Sequence, residues 1–185
     1  MYKNSLILLL TVIISSCGML GVEKIKDFST LSLGYGWLDI HGIDANRLHS
    51  VVIYQYAPKS DKPYYHAAVT KFKGGYLYYS FGLTDGAFGA YSADGQFCLG
   101  LCGNTLYTYN FGKQGDNIAK VRIDSPGVYH FGSYELNEVK TGFFKQGKFE
   151  AQPTQKGPSK AEMLGKILKE AKGNTVMTDR IQAEL

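Results

Sequence analysis

The chain has 185 residues, with 20 Lys and Arg against 16 Asp and Glu and a formal charge of +4. That length suits one domain with a real hydrophobic core. The charge is too evenly balanced for a nucleic-acid binder.

The first element is a leader. Lys3 is the only charge before Glu23, and Leu6 to Ile14 is apolar apart from Thr11, followed by the small residues Ser15, Ser16 and Cys17. A positive end, a short apolar centre and a small-residue cleavage site predict a secretory signal peptide over residues 1–16. The run is shorter than the roughly 20 residues that a membrane-spanning helix needs. The stretch Ile14-Ser15-Ser16-Cys17 resembles the lipobox of bacterial lipoproteins. That resemblance covers only the leader and Cys17. It implies cleavage before Cys17, a diacylglycerol on its sulfur and an acyl chain such as palmitate on its new amine. Two or three chains hold a protein stably to a membrane where one holds it marginally. Gly18, and not Asp, follows the cysteine. In Gram-negative members of that family this implies the outer membrane.

Residues 17–30 read as the lipidated N-terminus and a tether. Residues 31–152 read as one antiparallel β domain, rich in Tyr, Phe, Val and Gly. Candidate strands are Val51 to Ala57, Tyr64 to Phe72, Tyr76 to Leu83, Ala87 to Ala93, Gln96 to Leu101, Thr105 to Phe111, Ile118 to Asp124 and Val128 to Leu136. Shorter ones are Val139 to Phe144 and Lys148 to Ala151. Asp85-Gly86 and Asp94-Gly95 read as hairpin turns, and Gly74-Gly75, Gly103-Asn104 and Ser125-Pro126-Gly127 as further breaks. In Ile118 to Asp124, Ala119, Val121 and Ile123 alternate with Lys120, Arg122 and Asp124, the pattern of a half-buried strand. Residues 153–185 change period. Ser159 and Glu162 form a capping box, and Ala161, Leu164, Ile167, Leu168 and Ala171 recur at helical spacing up to Gly173. A second short helix is expected from Thr178 or Asp179, and both should pack on the β domain.

No nucleophile elbow, phosphate loop, zinc-binding helix motif or dinucleotide fingerprint is present. No catalytic set, cofactor site or metal site is therefore expected beyond the lipid on Cys17. The one local polar cluster is Asp39 and His41, which share a face if the segment is extended. A carboxylate beside an imidazole fixes its tautomer for base or ligand work. Cys98 and Cys102 are the remaining cysteines. A bridge between them is permitted after export, but it requires a turn at Leu99-Gly100-Leu101, and Gly103-Asn104 looks like the better turn. Tyr76, Tyr78, Tyr79, Tyr91, Tyr107, Tyr109, Tyr129 and Tyr134 fall on candidate strands. They read as sheet packing or as a half-wet face for sugars or a partner protein. Eight lysines lie between Lys140 and Lys172. They suit a solvated helix face or anionic lipid, lipopolysaccharide or cell-wall polymer.

Arg122 to Tyr129, a strand, a Pro-Gly turn and an x-Tyr strand, resembles transthyretin-like and other Ig-like sandwiches. The lipocalin barrel is the rival resemblance. The short hairpins and late helix fit it, while its G-x-W signature becomes Gly34-Tyr35-Gly36-Trp37 here. The expected fold is thus mainly β, an antiparallel β-sandwich or else a lipocalin-like up-and-down barrel, with a C-terminal α-helical segment. The expected function is a lipid-anchored, non-enzymatic interaction or structural module of the bacterial cell envelope, touching the membrane through its anchor. A carrier of a small apolar ligand and an envelope enzyme with a dispersed site are the alternatives.

Overall fold

The computed structural model describes residues 27–43, 45–99, 101–111, 119–139 and 148–185, with backbone alone at 97–99, 101–106 and 148. Cys17 and the leader lie outside the described residues. Among the described residues nine strands come first: β1 Ser32–Gly42, β2 Arg47–Ala57, β3 Tyr64–Phe72, β4 Gly75–Leu83, β5 Gly86–Leu99, β6 Leu101–Asn110, β7 Val121–Ile123, β8 Val128–Val139 and β9 Lys148–Pro153. Two helices follow, α1 Lys160–Glu170 and α2 Thr175–Ala183.

All nine strands join in one sheet, ordered β6-β5-β2-β3-β4-β1-β8-β9, with β7 paired to β5. Its two ends meet through aromatic side chains. Phe149 of β9 lies 5.1 Å edge-on from Tyr109 of β6 and 5.7 Å from Phe111. The sheet is therefore nearly closed and barrel-like. The barrel alternative fits this closure, and the continuous ladder does not confirm the sandwich expectation of two separate sheets face to face. Strand order also departs from an up-and-down barrel, because β1 pairs antiparallel with β4 but parallel with β8.

The strand β3 makes the corner. Its first half, Tyr64 to Ala67, pairs with β2, and its second half, Ala68 to Phe72, pairs with β4. Lys73 (φ 50°) and Gly74 (φ 81°) close the β3–β4 hairpin, both in the left-handed region that a two-residue primed turn requires.

One core fills the barrel, with Leu38, Ile53, Tyr78, Phe88, Phe131 and Leu136 buried in it. Glycine makes room on β1. A Cβ on Gly34 would sit 2.4 Å from the Phe131 ring, and one on Gly36 would sit 2.4 Å from the Tyr78 hydroxyl. A second core lies outside the barrel, where Met163, Leu164 and Ile167 of α1 and Met177 and Ile181 of α2 cover Leu33, Tyr35, Trp37, Leu77 and Tyr79. The strand β1 is consequently buried on both faces, which explains why its sequence lacks a clear alternation. The Trp37 indole donates to the Phe72 carbonyl at 2.9 Å. Arg180 of α2 donates to the carbonyls of Phe28 (3.1 Å), Ser29 (2.6 Å) and Leu31, pinning the segment before β1.

Several local expectations change. Asp94-Gly95 lies inside β5, paired through Asp94↔Thr108 and Gly95↔Tyr107, and is no turn. Gly103 and Asn104 lie inside β6, and Leu99 of β5 pairs with Leu101 of β6. Asp85-Gly86 connects β4 to β5 without a hairpin, since β5 pairs with β2. The α1 capping box is present, with Glu162 N donating to Ser159 Oγ at 3.2 Å and Ser159 N to Glu162 Oε2 at 2.9 Å. The second helix starts earlier than Thr178 because Asn174 caps it, accepting from Met177 N at 3.1 Å.

Candidate functional site

Asp39 and His41 come together at the end of β1. The Asp39 carboxylate accepts from His41 Nδ1 at 2.5 Å and from His41 N at 2.9 Å. Extended backbone puts both side chains on one face, as the spacing predicts. The contact fixes the Nδ1–H tautomer and turns Nε2 outward, with 75% of the His41 side chain exposed. Beside it, Glu135 of β8 stands opposite Asp39 in the parallel register. Lys156 donates to Glu135 Oε2 at 3.0 Å, which raises the Lys156 pKa. Among the described residues no group of three metal-ligating side chains forms.

The same outer face leads to a cleft between β8 and α1. It has a volume of about 560 Å³ and is lined by His130, Ser133, Thr154, Gly157, Lys160 and Met163 among others. The His130 ring lies 4.9 Å from that of Tyr35, and its Nε2 is buried with no hydrogen-bond partner among the described residues. Burial, with a smaller push from the Lys160 ammonium, lowers its pKa to about 4. Burial and Glu184 push the neighbouring Tyr35 up to about 12. At neutral pH the His130 imidazole on the cleft wall is thus uncharged, and so is the Tyr35 phenol packed against it.

A different surface gathers tyrosines. Tyr54 and Tyr56 of β2, Tyr64 of β3 and Tyr91 of β5 form a ledge on the outer side of the sheet. The Tyr54 ring is 4.9 Å from Tyr56, 5.0 Å from Tyr64 and 5.4 Å from Tyr91, and Tyr64 is 5.7 Å from Tyr91. Register builds this cluster, since Tyr54 pairs with Tyr64, and a bulge in β5 between Ala90 and Ser92 sets Tyr91 beside them. Lys120 Nζ sits 4.7 Å from the centroid of the Tyr56 ring, a cation–π contact. Tyr64 is 53% exposed and Tyr56 37%. Burial and the two neighbouring tyrosines raise the pKa of Tyr56.

Of the tyrosines singled out in the sequence, Tyr76, Tyr78, Tyr79, Tyr109 and Tyr134 are buried, and only Tyr91 joins the ledge. Tyr54 and Tyr64 escaped notice because their partnership depends on cross-strand register. The signal for half of it was present in Tyr54-Gln55-Tyr56, two rings on one face of a strand. Cys98 and Cys102 stand opposite each other in the backbone register of β5 and β6. No family model, no curated protein and no solved structure matches the chain.

Proposed function

We propose that the chain is a lipid-anchored protein of the bacterial cell envelope, tethered through Cys17, that acts as a non-enzymatic interaction module. The observation that carries the interaction reading is the tyrosine ledge. Tyrosine supplies large contact area at small entropic cost and is enriched where protein interfaces concentrate their energy. Here four rings already brace one another, so little order remains to be lost on binding. The partner is an envelope protein that lays an apolar side chain on Tyr54 and Tyr64 and a carboxylate near Lys120. A small-apolar-ligand carrier has less support, because Tyr78, Phe88 and Phe131 occupy the barrel interior. The envelope-enzyme reading has one observation in its favour, the Asp39–His41 dyad, and predicts loss of any hydrolytic activity in His41→Gln.

Two experiments test the proposal. Cys17→Ser should abolish incorporation of labelled palmitate, and persistent labelling would remove the anchor. A photo-crosslinking residue at position 64 should give a discrete protein adduct in intact cells, and that adduct should vanish when Tyr54 and Tyr91 become Ala. The same residue placed at Lys172 on the far side should not give it. No adduct at 64, or an equal one at 172, would sink the ledge as a contact surface.

A further inference from the structure

The corner at β3 leaves part of a strand edge without a neighbour. The β2–β3 ladder runs from Tyr54↔Tyr64 to Val51↔Ala67 and stops. Both strands continue, but β2 carries a bulge between Leu48 and Ser50 and follows β5 instead. Bulges of this kind bend a strand and end its pairing. Beyond Ala67, β3 is paired only to β4. Main-chain groups alternate sides along a strand. Gln55 N donates to Pro63 O at 2.8 Å, so the Pro63 C=O and the N–H and C=O groups of Tyr65 and Ala67 point toward β2. By the same alternation Val69 and Lys71 point theirs into the split, while Ala68, Thr70 and Phe72 serve β4.

The split is a cleft of about 710 Å³ lined by Asn46, Arg47, Leu48, Val69, Thr70, Lys71 and Tyr76. Tyr76 spans its floor from β4, donating to the Asn46 carbonyl at 3.3 Å. The lining holds two cations, Arg47 and Lys71, and no acid. Both residues are exposed, and neither enters an ion pair with a described residue. An open strand edge offers fixed main-chain hydrogen bonds, and a volume of this size holds a peptide of a few residues.

We infer that this split is a strand-addition site, in which an extended acidic peptide segment pairs with the Val69–Lys71 edge of β3 and places its carboxylates on Arg47 and Lys71. The site lies at the other end of β2 and β3 from the tyrosine ledge, and the inference stands whether or not the ledge binds anything. Main-chain pairing supplies the affinity. The two cations select acidic segments and reject basic ones.

The test uses a fluorescein-labelled hexapeptide alternating Glu and Val, titrated into the whole mature protein by fluorescence anisotropy. Saturable binding is expected, with amide shifts in NMR spectra confined to residues 46–48 and 69–71. The double variant Arg47→Glu, Lys71→Glu should weaken it about tenfold or more. Two methylated peptides separate strand addition from charge alone. Pairing through one edge uses alternate amides, so N-methylation at every Val or at every Glu should abolish binding in one peptide and leave it intact in the other. Equal effects of the two methylations would overturn the inference. So would binding of the Lys-Val hexapeptide or of an anionic heparin fragment as tight as that of the Glu-Val peptide. Absence of saturable binding up to about 1 mM would overturn it as well.

Discussion

The His130→Phe variant should remove a specific part of the protein's acid sensitivity. The His130 imidazole is held at a pKa of about 4, against about 6.5 for an unperturbed histidine. Folding therefore favours the neutral ring, and the unfolded chain binds the proton more readily. The stabilisation is complete above about pH 6.5, falls as pH drops through the window between the two values, and is gone below about 4. At about 1.36 kcal/mol for each pH unit between the two values, the ceiling is about 3 kcal/mol. The ring lines an open cleft and is only partly buried, so water screens it, and about 1.5–2 kcal/mol is the expected size. Phenylalanine keeps the ring packing on Tyr35 without the titration. Urea unfolding of both proteins at several values from about pH 7.5 to about pH 3.5 gives the difference in stability, in which the carboxylates common to both cancel. That difference should move by about 1.5–2 kcal/mol in favour of the variant as pH falls, mostly between pH 6 and 4. A difference flat with pH would refute the argument that desolvation governs this ring.

Three further outcomes follow from the packing. Gly36→Ala drives a Cβ to 2.4 Å from the Tyr78 hydroxyl and 2.9 Å from the Gly132 carbonyl, so it should cost about 1–3 kcal/mol by chemical denaturation. Tyr78→Phe removes a buried hydroxyl that has no partner among the described residues, and should leave stability unchanged or raise it by up to about 1 kcal/mol. A clear loss would mean that the hydroxyl is satisfied. The register that opposes Cys98 and Cys102 brings their Cα atoms within reach of a bridge, so thiol titration of protein folded under oxidising conditions and kept unreduced should find neither free. Two free thiols would refute that pairing.

The legible parts of the fold were those set by local chemistry. Ser159 and Glu162 announce α1 because a capping box is a contact between near neighbours in sequence. Gly74 announces the β3–β4 turn because only a few residues tolerate its φ. The strand β1 was hidden because helices cover one face and the barrel interior the other, which erases alternation. Asp94-Gly95 misled because a turn dipeptide does not reveal that long-range pairing with β2 and β6 holds it extended. Asp39 and His41 were legible from spacing alone. The ledge, the His130 cleft and the β2–β3 split were not, since each is made by registers between strands or by a helix laid over the sheet.

The Arg180 clamp has a mechanical consequence. Its guanidinium grips three carbonyls just before β1, from a helix near the other end of the sequence. Tension applied to the chain upstream of residue 28 reaches this grip before it reaches the sheet. It is shared with α2, whose Met177 and Ile181 are seated on the outer core. Several charge-assisted hydrogen bonds loaded side by side resist pulling better than bonds that open one after another. A protein held from its N-terminal side would hang from this fork, with the strands of the barrel spared the load.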